Sequence, residues 1–352
     1  MQQAPLTELA SGIDALYLSG RAVLPPSLLK RLEEARNRAE LQDAPVEVLL
    51  GNQYFDLLPR NFGKYRYRLQ HQFGLLGITP SEKLPALRFQ PRAEFLHGHG
   101  PDGAVEWFRD VTEQELGMVR VSVSRVDLYA DFQGWDLSGD DREHFICRSS
   151  DVVLHESDKA FNGLIFGTRK SSTIGARLYN KTIQSEKLGK DYWKDIWNEH
   201  YNPSLPVHRV EFEVNRTALR QFGLDSPEQV FEATGSLWMY CTNEWLTHRV
   251  PTEDATRSRW PVSPEYQSVQ RASLQQDAIG IERCYAALKA GQLRNLIPQL
   301  NGYLASFAAL INASDFRELF YVVEGDLNRY NEARDISFAQ RIEAKRKQFG
   351  LL

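Results

Sequence analysis

Residues 123–132 read VSRVDLYADF, and their alternation decides how the middle of this chain folds. Successive side chains of a β-strand point to opposite faces. A strand here therefore puts Val126, Leu128, Ala130 and Phe132 on one side and Arg125, Asp127, Tyr129 and Asp131 on the other. The first set is a core face. The second places two acids where strand propensity disfavours them. The stretch HRVEFEVNR, 208–216, divides in the same way: Val210, Phe212 and Val214 oppose Arg209, Glu211, Glu213 and Asn215. In ARLYNK, 176–181, a strand would set Arg177, Tyr179 and Lys181 on one face, a phenol between two cations.

Working outward, short β-rich runs bounded by Gly, Pro, Asn, Asp or Ser fill residues 46–216. They include VEVLLG, KYRYRLQ, RAEFLHG and GLIFGT. Helical patterns interrupt them, early in LTELASG and later in QSEKLGKDYWKDIWNEHY. PSLLKRLEEARNRAEL, 26–41, has apolar side chains at helical spacing, with Ser27 as a candidate cap. Beyond residue 223 the pattern is helical, opening on Ser226–Pro227. The expectation is an α+β fold: a central, mostly antiparallel sheet carrying the active site, a helical N-terminal lead and a helical C-terminal region. The expected division is 1–45 helical, 46–222 sheet-based core and 223–352 helical.

Bulk properties bound the function. The chain has 352 residues, 42% hydrophobic and 25% charged, with net charge −4. Those values suit a globular protein and exclude a uniformly basic nucleic-acid binder. No run approaches the ~18 apolar residues of a membrane span, and the first residues lack a secretion-signal pattern. Cys147, Cys241 and Cys284 are far apart and odd in number, which argues against a disulfide framework and for a reducing cytoplasm. Charge is uneven, however. Residues 57–93 carry seven basic side chains (Arg60, Lys64, Arg66, Arg68, Lys83, Arg88 and Arg92) against Glu82 alone. Lys64, Arg66 and Arg68 alternate with Tyr65 and Tyr67, a pattern that either lies along a phosphate backbone or solubilises an outer sheet face.

If the three polar strand faces share one sheet surface, they make a reaction centre. Clustered carboxylates repel unless protons or a cation neutralise them, and oxygen-only donors suit Mg²⁺ or Mn²⁺. Tyr179 would attack phosphorus with Arg177 or Lys181 countering the charge. The same residues also read as cross-strand ion pairs on a solvated sheet.

These motifs, taken together, resemble those of the rolling-circle replication initiation factors of plasmids and filamentous phages, and of the related relaxases of conjugative elements. The resemblance rests on Arg125 and Asp127, on Gly167, Arg169 and Ser171, on Arg177, Tyr179 and Lys181, and on Arg209 and Glu211, with TRSRWPVSP following the core. It spans roughly residues 50–265. It implies a DNA-nicking transesterase with Tyr179 as nucleophile and a divalent metal, Mg²⁺ or Mn²⁺, on Asp127 and Glu211, with Asp131 and Glu213 as further candidates. Arg125 joins Arg177 and Lys181 at the phosphate. Lys64, Arg66, Arg68, Arg88, Arg169, Lys170 and Arg209 are the expected DNA contacts. The implied partners are origin DNA, a host helicase and polymerase, and a second copy of the chain. A conjugative relaxase and a non-catalytic DNA-binding regulator are the alternatives. His97 and His99 in FLHGHG offer a different, His-based metal site, although that context reads as a turn.

Overall fold

The computed structural model describes residues 6–157, 160–167, 172–190, 192–197, 200–275, 281, 293–332 and 336–349. In chain order the first half holds β1 (Thr7–Arg21), α1 (Pro26–Gln42), β2 (Val46–Leu50), β3 (Gln53–Leu58), β4 (Tyr67–His71), β5 (Gly74–Ile78), β6 (Leu87–Pro91), α2 (Ala93–Leu116) and β7 (Arg120–Gln133). There follow β8 (Phe145–Cys147), β9 (Val152–Ser157), β10 (Ala160–Phe166), β11 (Ile174–Asn180), α3 (Lys181–Lys187), α4 (Tyr192–Trp197) and β12 (Val207–Asn215). The remainder is α5 (Arg216–Gln221), α6 (Pro227–Glu232), α7 (Thr234–Tyr240), β13 (Leu246–His248), α8 (Pro264–Gln270), α9 (Leu293–Ile311), α10 (Phe316–Glu332) and α11 (Phe338–Phe349).

Eleven strands form one sheet in the order β2-β3-β4-β5-β6-β1-β7-β12-β11-β10-β9. Every neighbouring pair is antiparallel. The α+β class with helices at both ends is as the sequence predicts. β8 and β13 pair separately as a small second sheet. Among the described residues no helix is long and apolar enough to cross a membrane.

Three readings are corrected. Thr7–Arg21, containing the segment read as helical, is a 15-residue strand lying next to β7. Its small residues, Ala10, Ser11, Gly12 and Ala15, hide the period-two pattern that a strand normally shows. RAEFLHG is not a strand but the first turns of α2, which kinks at Gly100 (φ 73°) and resumes after Pro101. The two glycines and the proline made that helix read as a turn. KYRYRLQ is extended only from Tyr67, so Lys64 sits in a turn and Arg66 in a bend.

Apolar strand residues on one side of the sheet build the core. Val126, Leu128, Ala130 and Phe132 of β7 and Val210, Phe212 and Val214 of β12 are all at most 1% exposed. They join α1 (Leu28, Leu32, Ala35, Ala39), α2 (Ala104, Val105, Phe108) and the helices after β12 in one cluster. Burying a Leu or Phe side chain contributes about 1.5–3 kcal/mol, so this face fixes strand register. The opposite face is thereby forced to present the polar set.

Candidate active site

Register brings the polar residues together. Glu213 stands opposite Asp127, Glu211 opposite Tyr129 and Arg209 opposite Asp131. On the other edge of β12, Arg177 stands opposite Glu211 and Tyr179 opposite Arg209. Directly opposed residues share a face, so three strands present one continuous polar surface.

Two clusters divide that surface. In the first, Arg125 donates to both oxygens of Asp127, 2.6 Å at Oδ1, and its Nη2 lies 2.9 Å from Glu213 Oε2. Arg177 bridges the two glutamates, 3.3 Å to Glu211 Oε1 and 3.0 Å to Glu213 Oε2. The Tyr179 hydroxyl donates to Glu211 Oε2 at 3.0 Å. Burial and the charges of Glu211 and Glu213 push the Asp127 carboxyl above the ordinary carboxylate range, against the pull of Arg125. Burial and the Glu211 charge likewise hold the Tyr179 phenol well above 10, so it carries its proton at neutral pH.

In the second cluster Arg209 is completely buried. It donates to both oxygens of Asp131, at 2.6 and 2.8 Å, and to Asp14 Oδ1 at 2.5 Å. Its guanidinium lies between the rings of Tyr129 and Trp193, 3.9 and 4.1 Å from their centres. Trp197 Nε1 also donates to Asp131 Oδ2, at 2.8 Å. The fold thus removes Arg209 from the expected DNA contacts, because no solvent-facing atom remains to meet a phosphate. Asp131 has both oxygens committed to Arg209 and Trp197.

Lys181 was expected on the strand but is the first residue of α3, with Asn180 as the cap accepting from the Ile183 N–H at 3.1 Å. The turn still carries the ammonium into the site, where it lies 4.5 Å from the Trp193 ring centre and donates to Gln184 Oε1 at 2.9 Å. Burial, with the nearby Arg209 charge, lowers its pKa to about 8.

Two participants escaped the sequence reading. Asp14 lies in β1 at an irregularity in its pairing with β7. β6 pairs only with Leu18–Gly20 of β1, so α2 begins beside the open stretch and brings His97 Nε2 to 3.9 Å from Asp14 Oδ1. Asp14 is held below the ordinary carboxylate range: burial opposes ionisation, and His97 together with Arg209 outweighs it. An acid inside the apolar run GIDALYL was the available signal. His97 meets Trp193 edge-on, 4.7 Å between ring centres. His99 instead packs on Phe73 and Phe95, so the two histidines do not form a pair of ligands.

The donor set at Asp127, Glu211 and Glu213 fits a hard divalent cation. Asp127 and Glu211 are buried and Glu213 half-buried, three carboxylates face two guanidiniums, and burial together with the neighbouring glutamates raises the Asp127 carboxyl. Each carboxylate has lone pairs beyond those its arginine uses.

Tyr179 is half-buried and borders a cleft of about 420 Å³ that Gly163, Ile165, Arg177, Gln184 and Lys187 also line. A second cleft of about 470 Å³ shares Ile165 and Arg177 and reaches Glu213 and Asn215. Further along the same face, Arg88 stands opposite Ser19 on β1 and opposite Gly77, which in turn faces Arg68. Arg88 lies 5.7 Å from the Tyr17 ring centre, and Arg125 lies 4.9 Å from the same ring. Arg66 is exposed but paired with Glu33 of α1, and Lys64 is exposed. Arg169 and Lys170, with Ser171, lie outside the described residues.

No family model matches the chain, and no curated protein matches it. Among solved structures it is similar to a rolling circle replication initiator protein from Geobacillus stearothermophilus, with 15% identity and a TM-score of 0.43. The match covers 78% of this chain and 98% of that one. A likeness of that degree carries no argument about residues or activity.

Proposed function

We propose that this chain nicks DNA through Tyr179, by transesterification, to start rolling-circle replication. What carries the reading is the hydrogen bond from the Tyr179 hydroxyl to Glu211, on a sheet face whose acids and guanidiniums converge beside an open cleft. The phenol enters protonated, so it needs a base, and Glu211 accepts its proton as the phenolic oxygen forms a bond to phosphorus. The P–O3′ bond breaks, the departing oxygen takes up a proton to become a free 3′-hydroxyl, and the 5′ side stays on the enzyme as phosphotyrosine. The reverse sequence rejoins the strand. Arg177, more than a third exposed, and Lys181 face the phosphate and offset its developing charge. Asp127, Glu211 and Glu213 would hold Mg²⁺ or Mn²⁺, which when bound polarises a phosphate oxygen. Arg125 holds Asp127 and Glu213 in place.

Arg88, Arg68 and Lys64 extend the site as a basic approach for origin DNA. A host helicase would supply the unwinding, since these 352 residues contain no nucleotide-binding loop of the GxxxxGK type.

The deciding experiment incubates the protein with labelled single-stranded oligonucleotides and Mn²⁺, then locates any adduct by mass spectrometry. The expected product is a phosphodiester on Tyr179, lost in Tyr179→Phe. Undiminished nicking by Tyr179→Phe would refute the assignment. Absence of nicking by the wild type across origin-like sequences would favour a non-catalytic regulator.

A further inference from the structure

We propose that Asp141, His144 and His248 form a second metal site, of the zinc class, on the other side of the sheet from Tyr179. The three ligand atoms lie within 4.8 Å of one another. His248 Nε2 is 3.2 Å and His144 Nδ1 is 3.8 Å from Asp141 Oδ1. Two ligands in a tetrahedral zinc site, each about 2.0–2.1 Å from the metal, stand ~3.3 Å apart. The 3.8 Å separation is too long for a hydrogen bond but suits two groups converging on one cation.

The surroundings prepare each ligand. Asp141 Oδ2 is engaged by the Ser138 N–H and hydroxyl, at 2.7 and 3.1 Å, which turns Oδ1 toward the histidines. His248 is buried, and its Nδ1 lies 2.9 Å from Ser263 Oγ, itself 1% exposed. Ser263 Oγ already accepts from the Tyr266 N–H. In the tautomer whose Nδ1–H donates to that oxygen, the Nε2 lone pair is turned toward Asp141 Oδ1 and is available to a cation held between them. A second hydrogen bond of this kind to a ligating histidine is a recurrent feature of metal sites. His144 is about one third exposed, leaving a side open for a water as fourth ligand. Nitrogen donors favour Zn²⁺ over Mg²⁺.

The site is independent of the Tyr179 centre. Phe145 packs on His248 at 4.6 Å and on Phe166 at 5.0 Å between ring centres. Phe166 stands opposite Ala176 on the apolar face, whereas Gly163 and Ile165 face Tyr179 and Arg177. A cation here would tie the 3₁₀ turn of Gly139–His144 to β13, across a sequence distance of about a hundred residues.

The test uses the full chain stripped with a chelator and titrated with Co²⁺, followed by visible absorbance. Expected are tetrahedral d–d bands that saturate at one equivalent, lost on adding Zn²⁺ and kept in excess Mg²⁺. His144→Ala, at a partly exposed position, should weaken binding at least tenfold with an unchanged circular dichroism spectrum. Zn²⁺ should raise the melting temperature of the wild type but not of that variant. Glu211→Gln should leave the affinity read from the tetrahedral bands intact. A wild type that binds no Co²⁺, or His144→Ala binding it equally well, overturns the proposal.

Discussion

Asp131 and Arg209 face each other across adjacent strands with both side chains sealed from solvent, joined by hydrogen bonds of 2.6 and 2.8 Å. Removing one partner of such a pair strands a charge in low dielectric, at a cost of about 3–5 kcal/mol. Asp131→Ala is therefore expected to lower stability by that amount in urea or thermal melts. The loss should not be recovered by added Mn²⁺. Recovery by metal would instead make Asp131 a ligand.

Glu211→Gln keeps the shape of the side chain and removes the proposed base for the Tyr179 proton. Loss of general-base assistance slows a reaction by about 10²–10⁴. Single-turnover adduct formation should fall within that range while the melting temperature shifts little. An unchanged rate would assign the proton to another acceptor.

Lys181, with a pKa of about 8, carries its charge below that pH and loses it above. If the ammonium offsets phosphate charge, nicking declines as pH rises through about 8. In Lys181→Arg, whose guanidinium remains charged throughout, the decline should move to much higher pH. Identical pH–rate profiles for the two proteins would remove Lys181 from the reaction. Stability moves in the other sense. Between about 8 and the unfolded value near 10.5 the unfolded chain binds the proton and the folded one does not. This residue's contribution to stability therefore rises with pH there.

Gly163 is the register partner of Tyr179. A Cβ added there would sit 2.6 Å from the Leu178 carbonyl oxygen and 2.8 Å from Tyr179 Cβ. Backbone cannot yield as a flexible side chain does, so Gly163→Ala should cost about 1–3 kcal/mol and displace Tyr179, the proposed nucleophile. Reduced nicking with a lowered melting temperature is the expected result. Wild-type values for both would mean that the strands separate locally without penalty.

What the sequence disclosed follows from how each residue is held. β7 and β12 alternate cleanly because one face is core and the other is the site, and that contrast can be read along a single strand. Asp127, Glu211, Arg177 and Tyr179 were visible for this reason. Asp14 and His97 were not, since each reaches the site from an element whose pattern is blurred, small residues in β1 and a glycine-kinked start in α2. Arg209 shows the opposite limit. Its strand position was clear, but only the tertiary arrangement of Trp193, Trp197 and Tyr129 over it reveals that it is sealed in. The Asp141, His144 and His248 cluster had no sequence signature, because its third member lies beyond the sheet strands that separate them.

The central position of β1 has a consequence for when the protein becomes competent. Asp14 and Arg209 are separated by 195 positions in the chain, and β1 joins its neighbour β7 only after the stretch from Ala22 to Val119 has been made. Pairings of such sequence separation form slowly. A ribosome-bound or proteolytically shortened chain that has not brought these distant strands side by side therefore has an incomplete set of side chains around Tyr179. On the proposed function, an unfinished chain would therefore lack part of the site until this pairing forms.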